Sequence, residues 1–271
     1  MRTIENAFHN LRQKREGALL AYITGGDPEP SYTPEIATAL IEGGADIIEL
    51  GIPFSDPIAD GPTIQAATTR ALRSGTTPKM VLQMAREVKN QHNIPIAILT
   101  YYNSIFSMGL KSFCAMAKTC NVDGIIVPDL PVEEAQNFKK VAEEQEIDTI
   151  FLAAPSTQNW RLQKIIEYTS GFLYLVSLYG VTGIRTQLQT LTLQTIARIL
   201  PYTKNKIPLA VGFGLSEPKH VKTVIQSGVD GVIVGSAFVK IIEANKERSN
   251  LFESLKTKAA QLKLGTLYKT T

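Results

Sequence analysis

The chain has 271 residues, of which 44% are hydrophobic and 20% are charged, enough for one sizeable barrel or two small domains. Its net charge is only +3 and it has no long basic run, so the composition does not indicate binding to nucleic acid or to a membrane surface. No segment approaches the roughly 20 apolar residues of a membrane helix, and the first residues are amphipathic rather than a signal peptide, so we expect a cytoplasmic protein.

Short apolar runs recur about every 25 residues, with helix-period segments between most of them, which predicts a parallel α/β sheet. Examples of the helical segments are 132–145 and 217–227, the second with Ser216 as its expected N-cap. Eight runs over this length predict a (β/α)₈ TIM barrel formed by residues 1–271 as a single domain. The runs are 18–23, 46–51, 94–100, 124–127, 149–153, 172–176, 207–211 and 231–234.

The amino terminus is predicted to add a helix outside this repeat. Ile4, Ala7, Phe8 and Leu11 fall on one face of the amphipathic pattern. We therefore expect an extra N-terminal helix that covers the floor of the barrel.

The second run contains a carboxylate and leads into a loop, rich in proline and glycine, that holds two more. Glu49 projects near the carboxyl end of a buried strand, which is where such barrels keep their catalytic groups. Burial there raises the pKa of a carboxyl group, so Glu49 can exchange protons near neutral pH, whereas Asp60 on the polar loop should stay ionised. From position alone, Glu49 could instead pair with a core Lys or Arg, and Asp56 and Asp60 could cap a helix or a turn.

Glycine-rich turns follow each of the last three runs, at 180–183, 212–216 and 235–236. The backbone amides of Gly183, Gly214, Gly235 and Ser236 can approach an anion closely, and a helix beginning at Ser236 would add the positive end of its dipole. Because late strands of a TIM barrel commonly bind phosphate, the three turns together predict a phosphate-ester site. The Gly-Phe-Gly turn lacks the third glycine of a dinucleotide fingerprint, which argues against NAD.

Other chemistries lack the residues they need. The chain has three histidines, each on a predicted helix or helix end, so we expect neither a metal site nor a histidine-based triad. Its two cysteines, Cys114 and Cys120, do not have the number or spacing of a zinc site or a disulfide framework. No lysine lies at the carboxyl end of a predicted barrel strand, so carbon–carbon bond cleavage would have to proceed by acid–base chemistry rather than through a Schiff base.

Several motifs resemble those of the tryptophan synthase α subunit family, in the family's order and over nearly the whole chain. They are ELGIPFSDPIADGPTIQ (49–65), LTYYN (99–103), DGIIVPDLP (123–131), GVTG (180–183), VGFGLS (211–216) and VGSAFVKII (234–242). The resemblance implies a barrel that cleaves indole-3-glycerol phosphate to indole and glyceraldehyde 3-phosphate. It further implies that indole passes through a tunnel to a PLP-dependent β subunit in an αββα heterotetramer, and that the α chain itself holds no cofactor.

The resemblance also assigns roles to individual residues. Glu49 matches the proton shuttle, Asp60 the carboxylate that binds the indole N–H, and Tyr174 the tyrosine beside Glu49. The positions matched to substrate or phosphate contacts are Tyr22, Thr100, Tyr102, Thr182, Gly183, Gly212, Phe213, Gly214, Gly235 and Ser236. The positions matched to the surface that docks on the β subunit are Pro53, Asp56 and Pro57.

Some positions depart from the family pattern. Leu178 and Tyr179 occupy a stretch where many bacterial members have an arginine, and Ser104 replaces a common proline. Tyr22 and Thr100 stand where Phe and Leu are common around the indole. These changes leave open an alternative in which the chain mainly activates a β subunit and has weak or lost lyase activity. Related phosphate-binding barrels fit less well, because the epimerase needs histidine ligands and the indole-glycerol-phosphate synthase a strand-end lysine, both absent here.

Overall fold

The computed structural model describes residues 3–176, 185–212, 214–245 and 248–267. Within them, nine parallel strands form one sheet in the order β5-β4-β3-β2-β1-β9-β8-β7-β6. The strands are β1 (Ala18–Thr24), β2 (Ile47–Gly51), β3 (Ile96–Leu99), β4 (Gly124–Ile126), β5 (Asp148–Ile150), β6 (Leu152–Ala153), β7 (Leu173–Val176), β8 (Leu209–Gly212) and β9 (Gly231–Val234).

The two edge strands of this sheet, β5 and β6, are separated along the chain by Phe151 alone. They are two parts of one predicted run, so the nine strands occupy eight positions and the sheet nearly closes on itself. The predicted (β/α)₈ barrel is therefore confirmed, and each of the eight predicted runs contains a strand or, in this one case, two.

Helices surround the barrel, as expected when every crossover between parallel strands must return on the outside. Their bounds are α1 (Thr3–Gln13), α2 (Thr33–Glu42), α3 (Pro62–Arg73), α4 (Pro78–Gln91), α5 (Tyr102–Met108), α6 (Leu110–Thr119), α7 (Gln136–Glu144), α8 (Asn159–Tyr168), α9 (Arg185–Thr203), α10 (Pro218–Gln226), α11 (Ser236–Ala244) and α12 (Arg248–Thr266), with a 3₁₀ turn at Pro30–Tyr32. Among the described residues, no helix is both long and apolar enough to cross a membrane.

Strand alternation separates two apolar cores. On β1, Leu20 and Tyr22 point into the barrel, whereas Leu19, Ala21 and Ile23 pack against the helices. The side chains that point inward from the other strands join the first set, so the barrel is a packed interior rather than a pore.

The N-terminal helix closes one end of that interior. Ile4, Phe8 and Leu11 of α1 are buried in the same cluster as the inward-pointing strand residues, and the Phe8 ring lies 5.8 Å from that of Phe172 just before β7. Because Phe172 lies at the amino end of its strand, α1 covers the barrel floor as predicted. The opposite end, where the strands finish, is not covered by α1 and holds the candidate active site.

At the floor of the barrel, aspartates that come just before three of the strands connect those strands to their neighbours. Each accepts a hydrogen bond from an amide of a neighbouring strand and also pairs with a cation, so a partly buried carboxylate has two partners. The three sets are Asp46 with Leu19 N and Lys263, Asp123 with Ile96 N and Lys89, and Asp230 with Leu209 N and Arg12.

Two helix boundaries differ from the predictions. The segment 132–145 is helical only from Gln136, because residues 132–135 form turns. In the second case Glu217, not Ser216, is the N-cap of α10, and no side chain caps it. Pro218 at the first helical position sets the start instead, since its fixed φ suits that position and its missing N–H needs no partner there.

Candidate active site

Glu49 lies inside the barrel with only 1% of its surface exposed. It sits on β2 between Tyr22 of β1 and Ala97 of β3 in the strand register. Neither of its carboxylate oxygens forms a hydrogen bond with a described residue, so the alternative of a core ion pair with Lys or Arg finds no support there. Burial, with the nearby charge of Asp60 as the smaller cause, raises the pKa of Glu49 to about 8.

Asp60 comes to the same end of the barrel on the loop between β2 and α3. Burial raises the pKa of Asp60 to about 6, and a hydrogen bond from the Tyr101 hydroxyl acts in the opposite direction. At neutral pH, Glu49 therefore keeps its proton while Asp60 is largely ionised. Gly61 rather than an aspartate is the N-cap of α3, with no side-chain cap, so Asp60 does not act as a helix cap.

The loop that carries Asp60 is tied to the end of β3. Ile52 N donates to Leu99 O at 2.8 Å, and the Phe54 ring stacks on Tyr101 with ring centroids 5.3 Å apart. The Tyr101 hydroxyl accepts a hydrogen bond from Ala59 N at 2.9 Å and also bonds the Asp60 carboxylate. Since the hydroxyl has one proton and the amide uses a lone pair, that proton points at Asp60, which stabilises its charged form.

Tyr101 is a site residue that motif matching missed, although strand periodicity could have found it. Ala97 and Leu99 point into the barrel, so a period of two carries Tyr101 to the same side. Thr100 and Tyr102, the positions assigned by resemblance, alternate with Ala97, Leu99 and Tyr101 and so belong to the opposite face in this pattern. Thr100 Oγ1 donates to Tyr101 O at 3.4 Å, while Tyr102 packs on the outer core and donates its N–H to Asp129.

Two buried tyrosines, Tyr22 and Tyr174, line the barrel beside Glu49. For both, burial raises the pKa well above its usual value, so they are neutral hydroxyl groups at any working pH. A Cβ on Gly212 would lie 2.6 Å from the Tyr174 hydroxyl, and one on Gly235 would lie 2.9 Å from Tyr22 Cδ1. The tyrosine rings therefore require glycine at these two positions, whatever ligand their amides also serve.

Apolar side chains complete the mouth of the barrel. Ile64, Leu152 and Val176 are half-buried and pack on the interior cluster at the end where the strands finish. An apolar enclosure with a few placed polar groups suits a flat aromatic ligand.

The described part of the predicted phosphate site is the turn at Gly214 and the start of α11. Gly235 is the N-cap of α11, and its carbonyl accepts from Phe238 N and Val239 N, as in an ordinary first turn. The amides of Ser236 and Ala237 belong to the group that a helix leaves without intrahelical partners. Gly214 is exposed, with φ +74°, a conformation that favours glycine. The predicted site residues Thr182, Gly183 and Phe213 lie outside the described residues, as do Leu178 and Tyr179, the two positions that depart from the family pattern.

The predicted docking loop lies on the same end of the barrel. Asp56 is exposed, Pro57 is half-buried and Pro53 is buried beneath them. Ile58 is 83% exposed, and Phe106 of α5 and Trp160 of α8, the helices that follow β3 and β6, are 73% and 64% exposed. Large apolar side chains in such exposed positions favour a protein partner.

The fold and the pair of carboxyl groups at the carboxyl end of the barrel place this chain in the class of (β/α)₈-barrel enzymes. No group of three or more His, Cys, Asp or Glu side chains that could hold a metal occurs in the part of the chain that the structure describes.

Comparison with known proteins narrows the class. The family model described as "Tryptophan synthase alpha chain" matches residues 8–266. The tryptophan synthase alpha chain of Methanosarcina barkeri is 46% identical over 262 residues, covering 97% of this chain and 96% of its own. That of Cronobacter sakazakii is 42% identical over 269 residues, covering 98% and 99%.

Solved structures agree. Tryptophan synthase subunit alpha from Legionella pneumophila superposes with a TM-score of 0.90 at 33% identity and covers 98% of each chain. A structure of the tryptophan synthase α₂β₂ complex from Pyrococcus furiosus gives 0.85 at 45% identity, covering 91% of this chain and 98% of the other. This chain belongs to the tryptophan synthase alpha chain family. The family indicated by the motifs is thus confirmed, and its function is the lyase reaction on indole-3-glycerol phosphate.

Proposed function

We propose that this chain cleaves indole-3-glycerol phosphate to indole and glyceraldehyde 3-phosphate, with Glu49 as the acid–base group and Asp60 as the fixed anion. The observation that carries the proposal is a pair of carboxyl groups at one end of the barrel whose environments separate their pKa values, about 8 for Glu49 and about 6 for Asp60. Such a pair supplies one proton donor and one negative charge at the same pH.

The reaction needs one proton added and one removed. Protonated Glu49 gives its proton to indole C3, which leaves a positive charge on the ring nitrogen that the Asp60 carboxylate stabilises through the N1–H. The Glu49 carboxylate then takes the proton of the side-chain hydroxyl on the adjoining carbon. The carbonyl forms, the carbon–carbon bond breaks, and its electron pair returns to the ring, so Glu49 ends protonated. Each positioned proton transfer typically contributes about 10²–10⁴-fold to the rate.

The surroundings support the orientation that this chemistry requires. Ile64, Leu152 and Val176 offer an apolar wall for the indole, and Tyr174 lines the same interior, close enough for the charge of Glu49 to affect it. The first-turn amides of α11, at Ser236 and Ala237, suit the phosphate. Under this proposal Tyr101 is a positioning residue that acts through Asp60.

The alternative of a pure activator is not favoured. An activator needs the fold and the docking loop but has no use for a buried carboxyl group without hydrogen bonds to the described residues, such as Glu49. The altered positions Leu178 and Tyr179 lie outside the described residues.

We further propose that the docking face binds a β subunit in an αββα assembly, with PLP held by that partner, and that the chain works as a single domain in the cytoplasm. The exposed apolar side chains Ile58, Phe106 and Trp160 would be buried by the partner. Ile58→Asp should weaken the complex at least tenfold in an affinity measurement. Leu264→Asp is the matched control, because Leu264 is also exposed, at 60%, but lies on α12, whose end is bonded to the floor at Gly17. An equal loss of affinity in the Ile58 and Leu264 variants would mean that the partner binds elsewhere.

The decisive experiment measures indole release from indole-3-glycerol phosphate by the purified chain, alone and with a cognate β subunit. We expect release that rises when the partner is added. No release in either case, with the partner's own reaction still accelerated, would show an activator that has kept the fold and lost the chemistry. Asp60→Asn should reduce release less than Glu49→Gln does.

A further inference from the structure

An ion-pair cluster built on one buried aspartate lies beside the mouth of the barrel. Arg70 of α3 holds Asp27 with two parallel hydrogen bonds, Nε to Oδ1 at 2.7 Å and a terminal nitrogen to Oδ2 at 2.9 Å. Its other terminal nitrogen donates to Glu243 Oε1 at 3.2 Å. The Asp27 side chain is fully buried, whereas those of Arg70 and Glu243 are 27% and 53% exposed.

Each of these three residues belongs to an element that forms the mouth. Asp27 lies in the loop that follows β1, and this loop is bonded to the end of the strand bearing Glu49 through Gly25 N to Gly51 O at 2.8 Å. Arg70 is on α3, the helix that begins directly after Asp60. Glu243 is on α11, whose first turn supplies the proposed phosphate amides, and α3 and α11 pack against each other.

The geometry argues for orientation more than for stability. A buried ion pair gains little net stability over apolar side chains of similar size, because both charges lose their water. Burial in fact raises the pKa of Asp27 despite its two bonds to Arg70. A guanidinium with three directed bonds to two elements does, however, fix the rotation of its own helix relative to both.

We propose that Arg70 is a positioning residue that holds the helix after Asp60 in register with the phosphate-binding helix, so that the acidic group and the phosphate site keep one fixed separation. This inference rests on the proposed function. It assigns a role to Arg70, Asp27 and Glu243 that depends on neither the docking face nor the titration of Glu49.

The main test uses Glu243→Ala, since a half-exposed side chain can be removed without threatening the fold. We expect the KM for indole-3-glycerol phosphate to rise about two- to fivefold with kcat changed less, the range that a partly exposed charge pair supports. The double variant Asp27→Leu with Arg70→Met replaces the charged pair by apolar side chains and should raise KM by about tenfold or more while thermal unfolding stays cooperative.

Two control variants are matched to these changes. Ser74→Ala removes the C-cap hydroxyl of α3, which lies 2.8 Å from Ala71 O and 3.3 Å from Gly26 O of the same loop, and leaves α11 untouched. Lys118→Gln breaks an exposed ion pair, with Glu146, on the floor.

Binding of glycerol 3-phosphate, measured by calorimetry, separates this inference from the proposed reaction. We expect the dissociation constant to rise in the same order as KM, with both controls unchanged. If the unmodified chain binds the phosphate ester and all variants bind it equally well, the positioning role is refuted while the lyase proposal stands. If the unmodified chain does not bind it at all, the phosphate site and the inference both fail. Loss of cooperative unfolding in the double variant, together with an unchanged KM in Glu243→Ala, would show that the cluster serves stability alone.

Discussion

Replacing Glu49 by Gln should abolish cleavage and at the same time stabilise the protein. Glutamine has the shape of a protonated glutamate but cannot transfer the proton, so we expect indole release to fall by at least about 10²-fold. Because both side chains bury one neutral polar group, their difference in stability comes from the proton that Glu49 must keep in the folded state.

The direction in which stability changes with pH follows from the pKa of Glu49 in the folded and in the unfolded protein. Burial raises its pKa in the folded protein from 4.5 to about 8, so between these values the native state holds a proton that the unfolded chain has released. The unfolding free energy of the unmodified protein therefore contains a contribution that is fully present below pH 4.5 and is lost as the pH rises towards 8. At pH 7, two and a half units above 4.5 at about 1.36 kcal/mol per unit, the loss is about 3 kcal/mol. Glu49→Gln removes this dependence.

Urea denaturation at pH 5, 7 and 8 measures the effect. The Glu49→Gln variant should be more stable than the unmodified protein by less than about 1 kcal/mol at pH 5, about 3 at pH 7 and about 4 at pH 8. Glu144→Gln, at an exposed position of α7, is the control and should differ from the unmodified protein by only a few tenths of a kcal/mol throughout. A Glu49→Gln variant that is no more stable than the unmodified protein at pH 8, or that shows the same offset at every pH, would refute the reasoning about burial.

Three further outcomes can be tested. The kcat/KM for indole release should depend on pH as a bell-shaped curve, rising as Asp60 ionises near pH 6 and falling as Glu49 loses its proton near pH 8. Because the two groups interact, both limbs report the pair. A profile that is flat from about pH 5 to 9 would contradict this. Tyr101→Phe removes the hydrogen bond that lowers the pKa of Asp60, so the acidic limb should move to higher pH, with stability reduced by about 1 kcal/mol; an unmoved limb would count against the contact. Phe8→Ala should reduce the unfolding free energy by about 3–5 kcal/mol at unchanged KM, and an altered KM would show that the floor helix influences the mouth.

The barrel could be predicted from the sequence because its signal is local. A parallel strand buried on both faces is a short apolar run, and runs such as 18–23 and 231–234 have nearly the same bounds as β1 and β9. The covering helix α1 could be predicted in the same way from its apolar face. Glu49 could be singled out for a similar reason, since the end of a barrel strand is a position that can be counted along the chain, whereas the role of Asp60, on the loop after β2, came from the family resemblance.

Other features depend on contacts that no local pattern contains. Strand periodicity places Tyr101 on the inner side, but its contacts with Ala59 N and the Asp60 carboxylate join segments 42 positions apart or nearly so. The assignment of Thr100 and Tyr102 by resemblance stays a prediction. The glycines at 212 and 235 were assigned to a ligand, whereas the structure shows that they also make room for Tyr174 and Tyr22 from other strands. The bond between Arg70 and Asp27 joins residues 43 positions apart and could only be found once the fold had brought them together.

The stability penalty at Glu49 bears directly on what this chain does. A carboxyl group buried without hydrogen bonds to the described residues lowers the stability of the fold at neutral pH by an amount that a glutamine or an apolar side chain would restore. A chain that only activated a partner through its outer loop would gain from that replacement and lose nothing. The presence of Glu49 opposite an ionised Asp60, which is itself oriented by Tyr101, is therefore best explained by the lyase reaction, in which the same burial that weakens the fold places the proton where the carbon–carbon bond must break.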